Sequence, residues 1–183
     1  MDPAPDFHLR LAREEDIPAL EKLVELSVRQ SLSRHYSAAQ LAAALGPVFG
    51  VDRQLIRDGT YFIVERGAEV VGCGGWSKRL AVYGGDRDRT GADADAELDP
   101  ARDAARVRAF FVHPQWERRG VGRTLLLASE AAIRAGGFKR IELAATLAGQ
   151  PLYAAFGYDV VERYDAPMPG GLGLAVVRMK KEL

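Results

Sequence analysis

Arg118, Arg119, Gly120, Gly122 and Arg123 crowd into one short stretch, and Thr124 follows directly. Glycines at 120 and 122 remove side chains at what reads as the passage from a strand into a helix, so successive main-chain N–H groups can point outward at one object. A helix N-terminus adds unsatisfied donors and partial positive charge. The arginines supply formal charge and Thr124 a hydroxyl. The chemistry favoured by this combination is retention of a phosphate or pyrophosphate. A plain glycine turn with solvated arginines has the same spacing, and spacing alone leaves both readings open. Two better-known phosphate loops fit poorly. A dinucleotide fingerprint requires a glycine where Leu125 stands, and a P-loop requires Gly-Lys-Ser/Thr where Gly122-Arg123-Thr124 follows too short a loop.

The remaining reactive side chains carry less. His8 and His35 have no partners at metal-ligand spacing, so no metal site is expected. His113, beside Pro114, reads as a turn residue. Cys73 lies in an apolar run with Val70, Val71 and Trp76, which reads as a packed core thiol. A single cysteine forms no internal disulfide and suits a reducing compartment. With 183 residues and 48% hydrophobic content, residues 1–183 suit one domain with a core that needs no staples. Lys plus Arg and Asp plus Glu both number 25, so no global field recruits nucleic acid or an anionic membrane. The start, MDPAPDFHLR, has no basic region followed by an apolar stretch, and no apolar run is long enough to span a bilayer; a cytoplasmic location is the expectation.

The surrounding elements must position the glycine turn. A short strand is expected around residues 7–10. A helix follows, with Ile17, Leu20, Val24 and Val28 on one face and Glu14, Glu15 and Asp16 at its positive end. A second helical stretch from Ser37 stops at Gly46-Pro47. Residues 61–76 read as two strands joined across Gly67-Ala68, with glycines at 72, 74 and 75 where backbones approach closely or bulge. Residues 84–104 hold seven acidic residues against three arginines, with Leu98 the only large aliphatic one, and are expected to form a loop insertion outside the core. Then come a strand at 107–112 and a helix over 121–135 with Val121, Leu125, Ala128 and Ala132 on one face. A strand at 140–145 and a short helix between Pro151 and Gly157 follow, and a closing hairpin ends the chain. The fold class is α/β: a mixed, mostly antiparallel central sheet flanked by about four helices.

The stretch Glu117-Arg118-Arg119-Gly120-Val121-Gly122 resembles the signature Gln/Arg-x-x-Gly-x-Gly/Ala of the GNAT acyl-CoA-dependent N-acetyltransferases, departing at Glu117. The flanking FFVHPQW and GRTLL are also similar to that family. A second, distant stretch, ATLAGQPLYAAFGY, resembles its later segment through Tyr153, Gly157 and Tyr158, with Ala148 where many members carry asparagine. The resemblance implies acetyl-CoA as cosubstrate. Its pyrophosphate is expected on the N–H groups of Arg118, Arg119, Gly120, Val121, Gly122, Arg123 and Thr124, and its amide-bearing arm along the strand ending at Phe111 and Val112. It also implies Tyr153 as proton donor to the departing thiolate, and direct transfer to an amine without an enzyme nucleophile. The expected partner is a small-molecule or peptide amine, and a homodimer is compatible with the sequence. The acidic insertion reads either as a solvated loop or, through some of Asp86, Asp88, Asp93, Asp95, Glu97 and Asp99, as an attractor for a cationic amine. Two other functions stay open at this level: a non-catalytic acyl-CoA-binding or sensing module, and a nucleotide-phosphate-binding protein.

Overall fold

The computed structural model describes residues 6–80 and 96–183. Strand β1 (His8–Leu11) precedes three helices, α1 (Ile17–Ser31), α2 (Ala38–Ala44) and α3 (Arg53–Arg57). The hairpin of β2 (Tyr61–Arg66) and β3 (Glu69–Ser77) follows, and β4 (Ala105–Val112) leads into α4 (Val121–Ala135). Strand β5 (Arg140–Thr146), helix α5 (Gln150–Ala155) and the hairpin β6 (Asp159–Pro167) and β7 (Gly173–Glu182) complete the chain. The seven strands form one sheet in the order β1-β2-β3-β4-β5-β7-β6. Only β4 and β5 run parallel, so the expected mixed, mostly antiparallel sheet is what forms.

Local chemistry explains the element boundaries. Ser37 accepts from the Gln40 N–H (3.2 Å) while the Gln40 side chain accepts from the Ser37 N–H (2.9 Å), a reciprocal cap that starts α2. Helix α3 is not anticipated by periodicity, because five residues are too few to show one. It is made by its cap: Asp52 accepts from the Leu55 N–H at 3.2 Å.

Neighbouring residues on a strand face opposite ways, and the two sides of the sheet bury separate clusters. Leu20, Val24 and Val28 of α1 pack with Ile63, Cys73 and Phe111. On the other side Val121 and Leu125 of α4 pack with Val64 and Val71, while Leu126 and Ile133 meet Val107 and Ile141. The α4 stripe read from the sequence is therefore one flank of a wider buried face. A single helix spans both halves of this side, so its second flank is covered too, including Glu130. Burying that carboxylate is offset by Lys181 Nζ at 2.7 Å and by the Tyr158 hydroxyl, which donates at 3.1 Å.

The insertion contributes more than expected. Leu98 is buried with Trp76 and Ala105, and its N–H donates to the Lys78 carbonyl at 2.7 Å, so the end of the segment re-enters the core. Its aliphatic side chain has a hydrophobic slot that composition alone does not reveal.

Cys73 is fully buried, and desolvation pushes its thiol up to about 12. Negligible thiolate forms at neutral pH, so iodoacetamide is expected to leave the folded protein unmodified and to alkylate it stoichiometrically in denaturant. Intact-mass measurement reads this, and rapid alkylation of the folded protein would contradict the burial argument.

Candidate cofactor and transfer site

The sheet is continuous except at its one parallel pair. Strands β4 and β5 are in register only at Ala105↔Ile141 and Arg106↔Glu142. Beyond those two pairs β4 stays bonded to β3 and β5 to β7, so among the described residues the facing edges of 107–112 and 143–146 have no strand between them. Unpaired N–H and C=O groups inside a sheet demand partners. The gap opens toward the C-terminal ends of both strands, where α4 and α5 begin.

Three elements meet at that mouth. A Cβ built on Gly122 would lie 3.1 Å from Leu152 Cδ2 and 4.0 Å from Val112 Cγ2, so the absent side chain lets the first turn of α4 close against α5 and the end of β4. The turn before α4 is coiled by positive φ at Arg118 (60°) and Gly120 (97°), with Gly120 as N-cap. The N–H groups of residues 118–123 have no main-chain acceptor among the described residues. Thr124 differs from expectation. Its N–H donates to the Gly120 carbonyl at 2.9 Å and its hydroxyl to the same oxygen at 3.1 Å, so the run of free donors ends at Arg123. The physical reason is helix geometry: the cap carbonyl receives the first intrahelical bond, which comes from this residue.

The arginines divide. Arg119 places its guanidinium 5.3 Å from the Trp116 ring centroid, with Arg66 at 4.5 Å from the same ring and Phe7 edge-on at 5.9 Å. Arg119 thus contributes main chain and a packed loop. Arg118 and Arg123 have no ion-pair partner among the described residues and keep their charge at the turn. His113 caps the turn that follows β4, its Nδ1 accepting from the Gln115 N–H at 3.2 Å.

Phe111 and Val112 separate as well. The Phe111 side chain is buried under α1, whereas Val112 is half-buried at the mouth of the gap. Phe110 reaches across: its ring centroid lies 6.2 Å from that of Tyr153, which also meets Tyr158 at 5.6 Å. Tyr153 therefore flanks the gap from the α5 side while the glycine turn closes its end. Burial raises its hydroxyl pKa, and that hydroxyl has no hydrogen-bond partner among the described residues. Of the acidic residues read as an amine attractor, Asp86, Asp88, Asp93 and Asp95 lie outside the described residues. Glu97 is engaged by Lys78 Nζ at 2.8 Å, and Asp99 accepts from the Ala101 N–H at 2.9 Å.

Sequence reading misses the support beneath β4. Ala109 has φ 58°, a left-handed conformation that costs an alanine about 1–3 kcal/mol. Arg108 and Asp52, 6% and 0% exposed, pair at 2.8 Å in the same cluster. The only signal in the sequence was the glycine at 74, opposite this point.

A mixed sheet split at its one parallel pair, with a glycine-capped helix at the mouth, frames the candidate site. The chain belongs to the GNAT acetyltransferase family, whose profile matches residues 21–158. Solved structures share the fold. A GCN5-related N-acetyltransferase from Rhodopseudomonas palustris superposes with a TM-score of 0.70 at 22% identity, covering 96% of this chain and 95% of that one. The PaiA N-acetyltransferase from Thermoplasma acidophilum, solved in complex with coenzyme A, gives 0.65 at 14% identity over 97% and 99% of the two chains. The putative acetyltransferase yncA from Salmonella typhimurium, solved with acetyl-CoA, gives 0.61 at 17% identity over 97% and 94%. Among curated proteins no significant match is found.

Proposed function

We propose that this protein is an acetyl-CoA-dependent N-acetyltransferase that moves the acetyl group directly onto a primary amine. The observation that carries the reading is the gap between β4 and β5 ending on the glycine turn. A ligand with amides along its length and a diphosphate at its bend satisfies both sets of orphan groups at once. The free edges of β4 and β5 suit the amide-bearing arm by strand-like pairing. The N–H groups of residues 118–123 suit the diphosphate, with Arg118 and Arg123 adding charge.

The residues at the gap divide the chemistry. A main-chain N–H at Val112 would hold the thioester carbonyl and stabilise the oxyanion that develops on it. As the C–N bond forms and the C–S bond breaks, the departing sulfur takes the Tyr153 proton. The amine attacks as the neutral species, and the proton its nitrogen sheds after the C–N bond forms goes to solvent, from which Tyr153 is recharged. An unperturbed thiol titrates near 8.5 and a phenol near 10. Desolvation raises both, so the Tyr153 proton stays in place until a thiolate forms beside it. Cys73, buried on the far side of β4, takes no covalent part.

Calorimetric titration with acetyl-CoA, followed by mass spectrometry of an amine panel incubated with enzyme and acetyl-CoA, tests the reading. Binding with a Kd on the order of 1 μM to 1 mM and a product heavier by one acetyl group are expected. Binding without turnover on any amine would make the protein a sensor of acyl-CoA, and absence of binding would overturn the proposal altogether.

A further inference from the structure

Two residues of β4, Ala109 and Phe110, stand against the single residue Gly74 of β3, because the flanking pairs are Gly75↔Arg108 and Cys73↔Phe111. This is a bulge whose first residue is left-handed, a position glycine fills without strain and alanine does not. Something must hold it. On one side Phe110 covers Gly74 so closely that a Cβ there would fall 2.4 Å from the ring.

On the other side three buried polar side chains each engage a different part of the bulge. Asp52 Oδ2 holds the Arg108 guanidinium at 2.8 Å, while its other oxygen caps α3. The Tyr61 hydroxyl donates to the Ala109 carbonyl at 3.2 Å and lies 3.3 Å from Cys73 Sγ. Cys73 in turn stands opposite Phe111 in the register of β3 and β4, at the far end of the bulge. An ion pair and a phenol are poor choices for filling an apolar cluster, where hydrophobic side chains of similar volume would stabilise at least as well. What the three have in common is their target, residues 108–111 of β4.

We infer that Asp52, Tyr61 and Cys73 are positioning residues for acyl transfer: they clamp the β4 bulge so that Phe111 turns inward and Val112 is presented to the gap. The inference rests on the acetyltransferase reading above. Without the clamp, strain at Ala109 drives β4 toward a regular strand, and loss of one bulge residue shifts every later side chain and peptide group to the opposite side. The glycine turn lies beyond β4 and has its own packing on Trp116, so diphosphate retention is largely spared.

Tyr61→Phe is the test, because it removes one oxygen and keeps the ring. We expect kcat at saturating acetyl-CoA to fall by about 10-fold or more, with the coenzyme A Kd within about 2-fold of wild type. Ala109→Gly alone should leave kcat within about 2-fold, since glycine accepts the same backbone. The double variant Tyr61→Phe/Ala109→Gly should recover most of the lost rate, because the strain opposed by the hydroxyl is gone. Wild-type turnover in Tyr61→Phe overturns the inference, as does a loss that Ala109→Gly does not restore. If wild type acetylates no amine, the functional reading fails by itself. Amide hydrogen exchange of residues 109–112 then decides the clamp: faster exchange in Tyr61→Phe, reversed in the double variant, supports it, and unchanged exchange sinks it.

Discussion

Tyr153→Phe is expected to lower kcat for acetyl transfer by about 100-fold while leaving acetyl-CoA affinity within about 2-fold of wild type. The change removes only the hydroxyl. The ring keeps its contacts with Phe110 and Tyr158, and no hydrogen bond to a described residue is broken, so the fold should hold. What is lost is the hydroxyl proposed as proton donor to the departing thiolate. Burial keeps the phenol protonated from neutral to mildly alkaline pH, so an alkaline fall in rate over that range belongs to a different group. Steady-state kinetics with saturating amine, paired with calorimetry, separates the two parameters. Undiminished turnover would remove Tyr153 from the mechanism.

Gly120→Val is expected to do the reverse and act on binding. A Cβ at this position meets nothing within 4 Å, so the substitution is not a matter of space. The difficulty is φ 97°, which a β-branched residue avoids. Either the turn keeps its shape at a cost of about 1–3 kcal/mol, or it relaxes and swings the N–H groups of residues 121–123 away from their common target. Relaxation is the easier course at an exposed turn, and the coenzyme A Kd should rise roughly 10- to 100-fold, equivalent to about 1.4–2.8 kcal/mol. Gly59→Val provides the control. Gly59 also has positive φ (67°) and open space, but it lies between α3 and the start of β2, at the opposite end of the sheet from the glycine turn. It should lower the melting temperature without changing the coenzyme A Kd. Equal Kd values for the two variants would show that the turn at Gly120 does not shape the diphosphate site.

Much of this molecule was legible along the chain because its signals are local. The periodicity of Leu20, Val24 and Val28, the reversal at Gly67 and the break at Gly136-Gly137 each act within a few residues. The glycine turn belongs to the same class, since helix caps and positive-φ positions are set by the residues that occupy them. The five-residue α3 escaped because it depends on a cap at Asp52 more than on a pattern. Leu98 was misplaced because composition describes a segment's average and burial depends on one side chain finding a slot.

The linear order of residues determined that a strand, a basic glycine turn and a helix follow one another, and that Tyr153 lies on a short helix after a later strand. Tertiary structure alone decided that β4 and β5 part after two residue pairs and that Asp52, Tyr61 and Cys73 converge beneath Ala109. Those are properties of pairing between segments far apart in the chain. The free energies that select them come from burial and from satisfying polar groups across the sheet, which no window of neighbouring residues contains.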